Sequence, residues 1–169
     1  MIVTPASTHG TLHERVLLLG DDAARGALTD AGLDPYVCDD VETLCEAIAQ
    51  GAAAVIVPEE ALSGESLVRL RDVLAAQPRW SDLPVIVLGS PESGWDVLAA
   101  LEPAGAATLL ERPVRPGTLV AAAQVALRAR RRQYELRDHL AEAARQERAL
   151  RDGHERARLE ILHQAFQEL

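Results

Sequence analysis

Charged and small residues follow four short apolar runs of the sequence, and their types and spacing are the ones that could support chemistry. They form four dipeptides: Asp21-Asp22, Glu59-Glu60, Gly89-Ser90 and Arg112-Pro113. Adjacent aspartates supply hard oxygen ligands for weak Mg²⁺ binding; the alternative is one helix N-cap beside a solvated acid, which needs no metal. Arg112 can bind a carboxylate through two hydrogen bonds, so it could pair with Glu59 or Glu60. The alternative is that both glutamates are solvated loop residues. No glycine-rich phosphate loop follows the first run, which argues against a nucleotide-binding enzyme.

The apolar runs predict five buried strands, at residues 15–20, 35–38, 53–57, 84–88 and 107–110. Helical patterns lie between them; Asp40 can N-cap the second helix, and Ser63 or Ser66 is expected to open the third. This alternation requires crossover connections, so it indicates a parallel sheet with helices on both faces. We expect an α/β, flavodoxin-like, doubly wound five-stranded sheet over residues 14–117, after a flexible leader at 1–13. Reactive groups of such sheets lie beyond the carboxyl ends of the strands, where the four dipeptides fall.

From residue 118 onward the chain has no proline and a single glycine, Gly153, which predicts a long helix. Apolar or small residues recur in it with heptad spacing: Leu119, Ala122, Ala126, Ala129, Leu136, Leu140, Ala143 and Leu150. We expect a second copy of the chain to cover this stripe in a coiled coil over residues 118–152, parallel by preference, with the antiparallel orientation left open. Because glycine costs about 1 kcal/mol inside a helix, we expect a break or a change of heptad phase near Gly153 and a second helical segment at 153–169.

The charge and hydropathy of the chain argue against two classes of function, nucleic-acid binding and membrane spanning. Up to Leu127 the chain has 7 Arg against 18 Asp and Glu, and after it 10 Arg against 8 acids, with no lysine anywhere. An acidic globule is a poor nucleic-acid surface, and the basic run at 128–132 is expected to be a solvated collar. No apolar run is long enough to span a bilayer. The two cysteines, Cys38 and Cys45, have no metal-site spacing and suggest buried thiols in a reducing cytoplasm.

With the strand ends placed, residues 15–132 resemble the receiver domain of bacterial response regulators. In that family an acidic pair after the first strand holds a divalent metal and an aspartate at the end of the third accepts a phosphoryl group. A Thr or Ser ends the fourth strand, and a Lys-Pro pair follows the fifth. The resemblance implies that Asp21 and Asp22 match the acidic pair. It also implies a cis peptide bond before Pro113.

The sequence departs from the receiver pattern at three of its positions. Pro58 stands where the family has the phosphoacceptor, and a one-residue slip would place Glu59 there instead. Gly89 takes the hydroxyl position, with Ser90 beside it, and Arg112 replaces the lysine. Proline cannot accept a phosphoryl group, so the resemblance implies a pseudo-receiver with no catalytic residue and no required cofactor. An ion pair of Glu59 or Glu60 with Arg112 would then mimic the phosphorylated state.

The C-terminal part carries a further resemblance. The run LLERPVRPGTLVAAAQVALRARRRQYELRDHL is similar to the receiver-like N-terminal region of certain bacterial sensor histidine kinases, and RLEILHQAFQEL resembles a helix that leads into a PAS domain. We therefore expect a non-enzymatic, homodimeric module that modulates a downstream PAS or kinase domain of the same parent chain. Two alternatives stay open: a phosphorylatable receiver with an atypical acceptor, and a passive dimerisation or scaffolding domain.

Overall fold

The computed structural model describes residues 14–167, so the predicted leader at 1–13 and the last two residues lie outside the described part of the chain. The five strands are β1 (Val16–Leu19), β2 (Tyr36–Cys38), β3 (Ala54–Pro58), β4 (Val85–Gly89) and β5 (Ala107–Glu111). The five α-helices are α1 (Asp22–Asp30), α2 (Val41–Gln50), α3 (Glu65–Ala75), α4 (Gly94–Leu101) and α5 (Pro116–Gln167). Short 3-10 turns follow β3 and α4.

All strands pair in parallel in the order β2-β1-β3-β4-β5, which confirms the predicted fold class. Successive side chains of a strand point to opposite faces, so each central strand serves two cores. Leu17, Val55 and Val87 face a cluster that includes α2, α3 and α4. Leu18 and Ile56 face the other cluster, which includes α1 and the start of α5. Burial on both faces explains why these strands are apolar without alternation.

The helix ends follow local capping chemistry. Asp21 accepts from the Ala24 N–H at 2.8 Å and caps α1, and Asp40 caps α2 in the same way, as predicted. The helix α3 begins at Glu65, between the two serines expected to open it, and Gly64 is its N-cap. Gly64 has φ +53°, a conformation that a residue with a side chain would adopt only with strain. The Ser66 N–H bonds back to the Ser63 carbonyl one turn earlier.

The long helix corrects two expectations. It is continuous through Gly153, so of the break or phase change expected there, the break is absent from the described residues. The first members of the predicted dimer stripe, Leu119, Ala122 and Ala126, pack against the sheet of their own domain, because a heptad pattern fits a sheet face as well as a partner helix. They are therefore unavailable to a second chain.

The chain divides into two compact units, one ending at Gln133 and the other beginning at Tyr134. In the second unit the remaining leucines of the stripe are 60–64% exposed: Leu136, Leu140 and Leu150. Ala129 and Ala143 are exposed as well. Among the described residues no helix combines the length and apolar character that a membrane crossing requires.

The continuity of α5 generates a prediction. A β-carbon at Gly153 would meet no other atom within 4 Å, so Gly153→Ala should stabilise the helix by about 1 kcal/mol. We expect a higher helical content in circular dichroism and slower amide exchange around residue 153. The reciprocal control, Ala157→Gly, should lower both. An unchanged or lower helical content in Gly153→Ala would indicate that the helix is interrupted there.

Candidate functional site at the carboxyl edge of the sheet

The residues that follow β1, β3, β4 and β5 lie along one edge of the sheet, as parallel pairing requires. Pro58 is the buried last residue of β3 and pairs with Leu88. Gly89 ends β4, and its carbonyl accepts from the Arg112 N–H at 2.8 Å. The Arg112-Pro113 peptide bond is cis, as predicted. The side chain with the most ionic contacts at this edge is that of Arg112.

Arg112 bridges two acids from different strand ends. Its Nη2 lies 3.0 Å from Asp21 Oδ2 and its Nη1 lies 2.6 Å from Glu60 Oε1. Glu60 acts first, and Asp21 adds to it, in raising the pKa of Arg112 above its ordinary value. The Glu60 side chain is 61% exposed, so that pair contributes at most about 1 kcal/mol. Asp21, at 18% exposure, is the better shielded partner.

Both carboxylate oxygens of Asp21 are engaged, since Oδ1 caps α1 and Oδ2 pairs with Arg112. Asp22 is exposed. Among the described residues no group of three or more His, Cys, Asp or Glu side chains is placed to hold a metal ion. A guanidinium in contact with the acid that would be the principal ligand opposes a divalent cation by charge. The residues present at this edge therefore do not fit Mg²⁺.

Glu59 lies apart from the Arg112 bridge and reaches toward the loop between β4 and α4. The Ser90 backbone N–H lowers the pKa of Glu59 below its ordinary 4.5; the Ser93 and Ser90 hydroxyls and the charge of Arg112 act in the same direction, against burial. The two serine hydroxyls are themselves 2.8 Å apart. Glu59 Oε2 is enclosed and has no hydrogen-bond partner. The carboxylate is thus held from one side by the loop.

Two glycines make the space that Glu59 occupies. A β-carbon at Gly89 would lie 2.6 Å from Glu59 Oε2, and one at Gly94 would lie 3.1 Å from it. The same atom at Gly94 would lie 2.6 Å from Leu109 Cδ1. Real β-carbons do not approach other atoms so closely, so both positions require glycine as long as Glu59 and Leu109 keep their places.

The structure separates the two glutamates that the sequence left as alternatives. Glu60 is the partner of Arg112, and Glu59 belongs to the serine loop. Sequence reasoning missed Ser93 and Gly94, and it missed the pairing of Asp21 with Arg112. The available signal was the Gly-Ser…Ser-Gly spacing at 89–94, which is symmetrical around a turn that leads into a helix.

The chain was compared with known proteins. No protein-family model matches it, and no curated protein matches it significantly. Among solved structures, NtrX from Brucella abortus in complex with ADP aligns with a TM-score of 0.59 at 22% identity, over 73% of this chain and 28% of that one. The receiver domain of NtrX from the same organism aligns with a TM-score of 0.55 at 21% identity, over 67% of this chain and 98% of that one. The beryllofluoride-activated NtrC4 receiver domain dimer aligns with a TM-score of 0.55 at 17% identity, over 69% of this chain and 98% of that one.

These similarities establish that the domain has the fold of response-regulator receiver domains. The chain spans only about a quarter of the NtrX chain that it matches, 28% by length. At these identities the likeness concerns the fold, so any activity must be argued from the edge residues themselves.

The crowding around Glu59 generates a double-mutant prediction. Gly89→Ala should lower the free energy of unfolding by about 1–3 kcal/mol, because the new methyl group overlaps Glu59 Oε2. Adding Glu59→Ala should recover part of that loss, with an interaction energy of about 0.5–3 kcal/mol in urea unfolding. Gly26→Ala is the control, since a β-carbon there meets no atom within 4 Å. Strictly additive effects of the two substitutions would contradict the contact.

Proposed function

We propose that this chain is a non-catalytic signal-transduction module of a two-component, phosphorelay-type system. It acts as a pseudo-receiver without a phosphoacceptor aspartate, dimerises through α5, and modulates a downstream sensor histidine kinase of the same parent chain. The observation that carries this proposal is the occupancy of the carboxyl edge. Pro58 ends β3, and Arg112 and Glu59 are already engaged with neighbours from the chain itself.

The chemistry of this edge argues against phosphoryl transfer. Pro58 offers no nucleophile. Glu59 has a carboxylate, but its Oε2 is enclosed against Gly89 and Gly94, where an incoming phosphoryl group would find no room. Phosphoryl transfer also depends on cations that neutralise the developing charge. Arg112 is already shared between Asp21 and Glu60. The proposal accordingly involves no metal and no cofactor.

The same contacts support a domain held in one state. A phosphoryl group on a receiver supplies negative charge at the end of β3. Here Glu60 supplies such a charge to Arg112, and Glu59 supplies another to the loop that starts α4. In this proposal the two carboxylates divide between them the contacts that a phosphoryl group would make. Signals then arrive by binding of a partner or ligand, which needs different affinities for two states of the module.

The exposed stripe of the second unit supports dimerisation. Leu136, Leu140 and Leu150 keep heptad spacing and are each at least 60% exposed. A helix with such a stripe buries it against another helix. The name of the NtrC4 structure reports a receiver domain dimer for that protein. We propose a homodimer here too, parallel by preference, in the cytoplasm, with a PAS or kinase domain beyond α5.

The absence of phosphotransfer is directly testable. Incubation of the full chain with acetyl phosphate and Mg²⁺, followed by intact-mass spectrometry, should yield no phosphoryl adduct, because Pro58 has no nucleophilic atom. A receiver domain that retains its aspartate serves as the positive control under the same conditions. An adduct that disappears in Glu59→Gln would overturn the proposal in favour of a phosphorylatable receiver with an atypical acceptor.

The oligomeric state tests the second half of the proposal. Light scattering on the full chain should give a dimer, and a chain that stops after Tyr134 should give a monomer, because the exposed leucines are removed. Leu140→Asp with Leu150→Asp should also give a monomer by placing charges in the seam. Glu142→Gln, on an exposed position beside the stripe, is the matched control. A monomeric full chain would contradict the coiled coil.

A further inference from the structure

The opposite edge of the sheet carries a buried polar cluster that the sequence did not indicate. Arg130 was expected to be part of a solvated basic collar, but it is 4% exposed. Its Nε donates to the Ala52 carbonyl at 3.2 Å, and its Nη1 donates to Ser81 Oγ at 2.8 Å. Its guanidinium carbon lies 5.5 Å from the ring centroid of Trp80. This arginine contacts the loops that lead into β3 and β4.

Gln133 completes the cluster one turn further along α5. Its Oε1 accepts from Arg130 Nη1 at 2.7 Å and from the Asp82 N–H at 3.0 Å. Its Nε2 donates to the Asp82 carbonyl at 2.8 Å. The amide therefore binds both backbone groups of one residue. Asp82 in turn accepts the Ala106 N–H through Oδ1 at 2.7 Å, which connects the segment that precedes β5.

The neighbouring arginines show that this burial is selective. Arg128, Arg131 and Arg132 are all exposed, and Arg131 makes only a 3.4 Å surface pair with Glu14. Taking a guanidinium out of water is costly, and apolar residues of similar volume often serve stability as well. The buried arginine restricts the rotation of α5 about its axis, because its hydrogen bonds form only at one rotation of the helix.

Directional contacts matter because the interface between α5 and the sheet upstream of Arg130 is built from apolar side chains. Leu119, Ala123 and Ala126 are buried there, and Ala122 and Leu127 pack beside them. Hydrophobic contact is non-directional, and alanine side chains offer few ridges that would oppose a turn of the helix about its axis. The hydrogen bonds at residues 130–133, where the first compact unit ends, are therefore the contacts best placed to hold α5 at one rotation.

We infer that Arg130 and Gln133, with their partners Ala52, Ser81 and Asp82, form a joint that fixes the rotation of α5 against the loops preceding β3, β4 and β5. The Arg130–Gln133 joint sets which face of the helix is presented where it leaves the first unit. It identifies this edge of the sheet, rather than the edge that carries Arg112, as the place where a displacement of the domain is passed to α5. The inference requires neither dimerisation nor a kinase.

The test measures the position of α5 relative to the domain with spin labels. Cysteines introduced at the exposed positions Glu46 and Arg128, both within the first unit, carry the labels. Both native thiols are buried, and burial raises the pKa of Cys38 to about 11 and also raises that of Cys45, so the introduced cysteines are labelled preferentially. Labelled chain is diluted with unlabelled chain, so that the distance measured by double electron–electron resonance lies within one molecule.

Gln133→Leu and Arg130→Met should each broaden the distance distribution or shift its mean relative to the parent. Exchange of the Asp82 amide should become roughly tenfold faster in Gln133→Leu, because its acceptor is lost. Gln124→Leu and Arg131→Met, exposed positions on the same helix, are the matched controls and should change neither. If Arg130→Met does not fold, Gln133→Leu decides alone, since Gln133 is only half-buried. Distributions in folded Gln133→Leu that match the parent would overturn the joint and leave the proposed function standing.

Discussion

A parallel sheet brings the residues that follow its strands to a single edge, and the charge balance at that edge governs this protein. Asp21, Glu59 and Glu60 converge there in a domain that is acidic and has no lysine. Uncompensated carboxylates repel one another. Arg112 pairs with two of them, and a backbone N–H with two hydroxyls holds the third. The loops that follow β1, β3 and β4 depend on this internal compensation.

The two edges of the sheet hold their arginines through different kinds of contact. At the carboxyl edge the contacts are ionic and partly exposed, so salt screens them and their individual contributions are small. At the opposite edge Arg130 is enclosed by neutral backbone and amide acceptors, where hydrogen bonds to a charged group are stronger. The ionic contacts of the carboxyl edge are therefore the ones that salt weakens. The hydrogen bonds between α5 and the loops lie at the opposite edge.

The sequence predicted features that depend on neighbours along the chain. Continuous apolar runs identified the strands, Asp40 identified the start of α2, and the alternation of strands with helical patterns implied the doubly wound sheet. The sequence did not predict features that depend on residues far apart along the chain. The position of Glu59 requires Gly89 and Gly94 to lack side chains, and an arginine within a basic run looks the same whether buried or solvated. The assignment of Leu119 to the dimer stripe was wrong for a related reason. A helix shows the same apolar periodicity when it packs against a sheet as when it packs against another helix.

The space left by Gly89 and Gly94 couples the residues that can occupy positions 59 and 89. A side chain at position 89 overlaps Glu59 Oε2 as long as Glu59 keeps its place, and removing Glu59 leaves space beside two glycines. The effect of a substitution at either position therefore depends on which residue occupies the other. The two positions form one unit of side-chain volume, which is preserved when both change together.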